Sequence, residues 1–191
     1  MTGAVAVHLC RGREWRGGER QVQLLIRTLA RDSGFVQQLV TARNSRLASA
    51  VGSEGPPVVG VPWRSPWDPR ALLQTVSHLR RLRDRHRRDL LLHAHDSHAL
   101  LIGLLAARFL GLPLVATRRS VTPPGRAWRL PDRVIAISTA VEEALRAARV
   151  ARTASSGCLR RFHSPPSRGC LPGASSPGSA GASQSYSRWA R

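Results

Sequence analysis

At 191 residues the chain has room for one domain, or one domain and a tail. All 30 of its basic residues are arginine, and against 11 acidic residues they give a net charge of +19. Its 42% of hydrophobic residues fall in well-spaced blocks, which excludes a wholly disordered chain over the first part. The three cysteines (Cys10, Cys158, Cys170) make no disulfide framework, match no zinc spacing and fit a reducing compartment.

In chain order, Ala4–Leu9 is a short apolar strand. Gly18–Ala30 follows as a helix with Val22, Leu25, Ile26 and Leu29 on one face. Phe35–Thr41 and Val58–Val61 read as the second and third strands. Asp68-Pro69 pairs an N-cap with a proline at the first helical position, opening a helix that carries Leu72, Leu73, Val76, Leu79 and Leu82 inward. Leu90–His93 is a fourth strand, and Ser97–Phe109 an apolar helix closed by Gly111 and Pro113. Leu114–Thr117 and Val134–Ile137 are the fifth and sixth strands. Thr139 with Glu142 forms a capping box for a last helix over Ala140–Ala148. Alternating helices and continuously apolar strands predict a Rossmann-like α/β fold, a parallel sheet with helices on both faces. Ligands of such sheets bind outside the carboxyl ends of the strands.

The residues at those ends therefore carry the functional reading. After the first strand, Gly17 and Gly18 open a helix with Glu19, and paired glycines there let backbone N–H groups approach an anion or a sugar hydroxyl. A tight turn that simply needs glycine is the alternative. The spacing is not that of a dinucleotide loop. Gly12 to Gly17 has phosphate-loop spacing, but Gly18-Glu19 replaces the required Lys-Ser/Thr pair. After the fourth strand stand His93, His95, Asp96 and His98. Four such residues in six invite a metal reading, but the pattern lacks a second ligand cluster before the tail, so no metal is expected. His93 reads as buried; His95, Asp96 and His98 read as facing a cleft. Arg118 and Arg119 follow the fifth strand, suited to gripping phosphate or carboxylate or to a solvated rim, and Ser138 follows the sixth.

Elsewhere, Arg80, Arg81, Arg83, Arg85, Arg87 and Arg88 crowd the end of the third helix. A solvated face is the plain account; docking on anionic lipid is the sharper one. Specific nucleic-acid binding is not expected, because aromatic interleaving and a recognition motif are missing. The absence of lysine also fits a GC-rich coding sequence. No stretch reads as a membrane span or an export signal: Ser97 to Ala107 is the most apolar run and falls short of about 18 residues. The expected location is the cytoplasm, including the inner face of the cell membrane.

Three segments in order, EWRGGERQ, LLLHAHDSHALLIGLLAARFLGLPLVATRRS and LPDRVIAISTAVEEAL, resemble the N-terminal domain of family 4 glycosyltransferases over residues 4–150. The resemblance implies one half of a GT-B fold and retaining transfer from a nucleotide-sugar, with no cofactor and no metal. It places Gly17, Gly18 and Glu19 in the loop near the donor phosphates and acceptor. His95, Asp96, His98, Arg118, Arg119 and Ser138 would line the cleft, with arginine standing where many members have a histidine segment. Implied acceptors are lipid-linked or envelope saccharides, met at an anionic membrane surface. An Arg-rich module for nucleic acid or anionic lipid is the alternative function, and a metal-dependent hydrolase a third.

The division falls at 1–150 and 151–191. All 11 acidic residues precede Val150, while the last 41 residues hold ten Ser, five Gly, four Pro and six Arg. Such a segment does not offset an ordering entropy of about 1–2 kcal/mol per residue, so disorder is expected there. Nothing in it resembles the donor-binding domain of the family, so the chain alone is expected to be inactive. Shifting the frame by one base across Thr153–Arg160 permits D-R-V-V-R-V-P-S, close to the family's linker, so 151–191 is expected to be an out-of-frame product. The genomic sequence beyond codon 150 checks this: an intact frame encoding the family's E-x7-E motif is the expected result, and unrelated sequence refutes it.

Overall fold

The computed structural model describes residues 4–31, 35–53, 55–86, 90–150 and 153–155. Its elements are β1 (Ala4–Leu9), α1 (Gly17–Leu29), β2 (Phe35–Ala42), α2 (Arg46–Val51), β3 (Val58–Val61), α3 (Pro69–His86), β4 (Leu90–Ala94) and α4 (Ser97–Leu110). There follow β5 (Leu114–Arg118), a 3-10 turn (Arg126–Arg129), β6 (Arg133–Ala136), α5 (Thr139–Ala147) and β7 (Thr153–Ser155). The strands form one sheet in the order β3-β2-β1-β4-β5-β6-β7, and every neighbouring pair is parallel. This is the doubly covered α/β sheet that the sequence predicts.

Strand period divides the core into two layers. Val5, Val7 and Leu9 of β1 pack with Leu90, Leu92 and Ala94 of β4 against α3, α4 and α5. Ala6 of β1 and Leu91 of β4 turn the other way, onto Leu29 of α1, and Cys10 joins Val22, Ile26 and Leu47 beneath α1 and α2. The largest cluster holds fully buried Leu9, Leu79, Leu92, Leu100 and Leu114. Each such side chain contributes roughly 1.5–3 kcal/mol relative to exposure.

Helix boundaries follow local chemistry. Asp68 caps α3 by accepting the N–H of Arg70 at 3.0 Å and of Ala71 at 3.3 Å. Asp96 caps α4 through the Ala99 N–H at 2.8 Å, and α4 stops at left-handed Gly111. Three expectations need correction. Leu73 is 66% exposed, because the inward stripe of α3 runs through Ala71, Thr75, Leu79 and Leu82 and puts position 73 on the far side. The cap of α5 is Ser138 rather than Thr139: its Oγ accepts the Val141 N–H at 3.3 Å, while Glu142 pairs with Arg146 one turn on. Helix α2, capped by Ser45, and the 3-10 turn were not foreseen. Within the segment expected to be disordered, Thr153–Ser155 pairs with β6 as the sheet's last strand. The rest of that segment and the reading-frame expectation lie outside the described residues.

Close approach of α4 to the sheet depends on Gly103. A methyl there would lie 3.1 Å from Leu9 Cδ1 and 3.2 Å from Leu114 Cδ1. Gly103→Val is expected to cost about 1–3 kcal/mol in chemical denaturation; an unchanged midpoint would contradict the packing.

Candidate functional site

Strands β1 and β4 are neighbours whose succeeding strands lie on opposite sides, β2 beyond β1 and β5 beyond β4. That is the switch point of the sheet, where a crevice opens at the carboxyl ends. His8 on β1 is in register with His93 on β4, and the chain leaves β4 with the His95 N–H bonded to the Leu9 carbonyl at 2.9 Å. His8, His93 and His95 all point to the α1 side, and all are buried. The rings of His93 and His95 are 3.9 Å apart, those of His8 and His95 5.2 Å.

A directional hydrogen-bond chain runs through this cluster. Arg119 Nη2 is 3.4 Å from His95 Nδ1, His95 Nε2 is 3.0 Å from His8 Nδ1, and His8 Nε2 is 3.1 Å from Gln37 Oε1. Gln37 Nε2 then donates to the Ile26 carbonyl of α1 at 3.0 Å. A guanidinium only donates and a carbonyl only accepts, so both ends are fixed. His95 accepts at Nδ1 and donates from Nε2; His8 accepts at Nδ1 and donates from Nε2 to the amide oxygen. One proton per imidazole satisfies the whole chain. His93 Nε2 is engaged separately with Thr117 Oγ1 at 2.7 Å.

Electrostatics agree with neutral rings. Burial, opposed only by the Gln37 bond, holds His8 down at about 4. Burial, then the neighbouring histidines and Arg119, hold His93 and His95 well below the usual imidazole value. The ligand nitrogens of His8, His93 and His95 lie within 4.8 Å of one another, close enough to share a metal ion. A cation there would have to break the His8–His95 bond and sit beside a guanidinium. The donor set fits a hydrogen-bonded cluster better than a metal centre. Burial first, then the charges of Asp96 and Glu19, push the Cys10 thiol well up, leaving it protonated.

Arg119 is the group this chain presents to the rim. Its Nε donates to Gln21 Oε1 of α1 at 2.9 Å and its Nη1 donates to the His95 carbonyl. Gly18 lies against it: a methyl there would come 3.7 Å from Arg119 Cδ. Gly17 is exposed and open above the start of α1. Glu19 caps its own helix, accepting the Arg16 N–H at 3.1 Å. Asp96 spans the switch point, capping α4 with one oxygen and accepting the Arg11 N–H at 2.8 Å with the other. His98 stands beside it, its Nε2 3.3 Å from Arg11 Nη1. The turn after Arg11 needs Gly12, whose φ is +58° and where a Cβ would meet Leu47 Cβ at 2.9 Å.

The structure thus brings together Gly18, His95, Asp96, His98 and Arg119. It does not bring in Arg118. Strand alternation sends that side chain to the opposite face, where it is 7% exposed, stacks 4.7 Å over Trp128 and donates to the carbonyls of Ser120 and Thr122. His95 likewise is 2% exposed and reaches the rim only through Arg119. Ser138 is exposed at the end of β6 as a helix cap. His8, Gln37, Gln21 and Arg11 were missed. A polar residue inside an apolar strand, as His8 and Gln37 are, was the available signal.

Neutral buried imidazoles set a pH dependence. Each takes a proton near pH 6.5 in the unfolded chain, so below that value the unfolded state binds more protons. Stability is full above about pH 6.5 and falls as the pH drops toward 4, with His8 alone accounting for on the order of 3 kcal/mol. Chemical denaturation across that window should show the loss; a flat profile would contradict neutral rings.

Comparison with known proteins supports a family assignment. Residues 15–155 match the model of Glycosyltransferase Family 4. No curated protein sequence matches the chain. Among solved structures the chain is similar to HepE of Anabaena in complex with UDP and glucose, at 18% identity and TM-score 0.60, over 80% of this chain and 43% of that one. It is similar to the lipopolysaccharide outer core galactosyltransferase WaaB in its apo form, at 15% identity and TM-score 0.57, over 78% and 44%. A UDP-N-acetylglucosamine 2-epimerase from Rickettsia bellii is similar at 13% identity and TM-score 0.55, over 85% and 48%. The chain spans less than half the length of each. At these identities the likeness shows the fold alone, which transferases and an epimerase share, whereas the family model matches most of the chain through the rim residues. The chain belongs to glycosyltransferase family 4.

Proposed function

We propose that this domain is the acceptor-side half of a retaining, nucleotide-sugar-dependent glycosyltransferase that uses no metal. The observation that carries the reading is the rim at the switch point, where Arg119 is braced against Gly18 and Gln21. A fixed guanidinium beside the amide end of a helix suits a ligand that bears oxyanions and hydroxyls. The metal-independent reading is supported by the histidines: His8 and His95 bond each other, Gln37 and Arg119 take their other ring nitrogens, and Thr117 takes His93 Nε2.

Saccharides of the cell envelope are the acceptor class we favour, in keeping with the similarity to WaaB. Among the described residues no helix is long and apolar enough to cross a membrane. Peripheral contact with an anionic leaflet is supported by Arg80, Arg81 and Arg85, exposed on α3. Arg83 is partly used elsewhere, donating to the Leu110 carbonyl at 3.0 Å.

Transfer requires groups on both walls of the cleft, aligned on the leaving diphosphate. The purified chain, given UDP-glucose and envelope oligosaccharides, is expected to form no product, and turnover by residues 1–191 alone would overturn that. Fused to the donor-binding half of a family relative it is expected to transfer sugar, with Arg119→Ala lowering kcat/KM by about ten- to hundredfold. An active fusion indifferent to Arg119 would remove the role given to the rim.

A further inference from the structure

A second concave site lies on the same edge of the sheet, toward β3. It is a cavity of about 460 Å³ between the ends of β2 and β3 and the start of α3, walled by Arg43, Pro62, Arg64, Asp68, Arg70 and Gln74. That volume is in the range of small-molecule sites and exceeds what a bare phosphate needs. Its backbone is tied down. The Arg43 N–H bonds to the Val61 carbonyl at 2.9 Å, and the Arg43 stem lies over Gly60, where a methyl would be 3.4 Å from its Cγ. The Arg64 N–H bonds to Asp68 Oδ2 at 3.0 Å, and Arg11 reaches across from the switch point to the Arg64 carbonyl at 2.8 Å.

The charges in this wall do not balance. Asp68 is its one carboxylate, and its two oxygens already accept three backbone N–H groups, from Arg64, Arg70 and Ala71. Among the described residues, the guanidiniums of Arg43, Arg64 and Arg70 take part in none of the hydrogen bonds and ion pairs that hold this wall together. Three arginines facing one committed carboxylate, beside the positive end of an 18-residue helix, favour an oxyanion able to accept several N–H bonds. Trp67, next to Asp68, is 68% exposed and offers an aromatic face at the same edge. Arg80, Arg81 and Arg85, by contrast, are exposed farther along α3 and are not among the residues that wall this cavity.

We propose that this cavity binds the phosphate group of a phosphorylated saccharide, the anionic part of the acceptor. The inference rests on the acceptor-side reading above. The full chain is titrated calorimetrically at about 0.1 M salt with inorganic phosphate, glucose 1-phosphate and glucose, and by flotation with phosphatidylcholine vesicles containing or lacking phosphatidic acid. Glucose 1-phosphate is expected to bind more tightly than inorganic phosphate, and glucose not to bind. The R43Q/R64Q/R70Q variant should lose about tenfold or more in affinity, while R80Q/R81Q/R85Q, which removes equal charge, should retain it. All six side chains are exposed, and thermal melting of both variants verifies that each is folded.

Equal losses in the two variants, or none in either, overturn the site and leave the Arg119 rim untouched. Phosphate held by Arg43, Arg64 and Arg70 with no gain from the sugar overturns the acceptor reading and leaves an anion site. Binding to phosphatidic acid vesicles alone, abolished in R43Q/R64Q/R70Q, replaces the saccharide with a lipid headgroup.

Discussion

Three imidazoles buried at the centre of an apolar sheet are the constraint around which this domain is arranged. A buried ring is tolerated only if it is neutral and its polar atoms are partnered. His8, His93 and His95 meet both conditions, and the way they do so leaves little freedom. Because Arg119 can only donate and the Ile26 carbonyl can only accept, the chain between them has one direction, and His95 and His8 within it each have one tautomer. It links α1, β2, β1 and the end of β4 to the loop after β5. Arg119 is therefore a positioned cation, held from beneath by groups that never reach solvent. The low dielectric that makes an unpaired ring costly also strengthens the bonds of a satisfied chain.

The rim shows a division of labour among polar residues. Asp68, Asp96 and Ser138 each spend an oxygen on a helix N-terminus, and Glu19 closes the start of α1. Acidic and hydroxyl groups at the strand ends thus serve the scaffold. The chemistry left facing the crevice is cationic: Arg119 with Arg11 at the switch point, and the arginines beyond β3. A surface of that kind suits binding and orienting an anionic or hydroxyl-rich ligand more than proton transfer, which agrees with a wall of a cleft that holds one reactant. The matched part of this chain covers less than half of each of these structural neighbours.

Net charge alone says little about which arginines matter. Arg118 is absorbed by Trp128 and the loop carbonyls, and Arg83 by the end of α4. The cations distinguished by geometry are the few that share a concavity or are braced by a partner. The neighbouring pair Arg118 and Arg119 makes the point most sharply, since residues one apart at the end of a strand face opposite layers. One arginine stiffens the scaffold; the next reaches the switch point.

Much of the fold was legible because it depends on local pattern. Apolar runs of strand length, the Asp68-Pro69 start and the Gly111 stop are short-range signals, and they located six strands and four helices within a few residues of where they lie. The opposite facing of Arg118 and Arg119 is likewise a local property, set by strand alternation. The partnership of His8 with His95, 87 residues apart, was not legible. Nor was that of Gln37 with α1, nor the cavity formed by arginines from the loops after β2 and β3 and the first turn of α3. By itself the sequence determined the elements, their alternation and hence a parallel sheet, because hydrophobic period and capping act over a few residues. Only the tertiary structure decided which polar side chains meet, because that depends on strand order and register, which bring together residues distant along the chain.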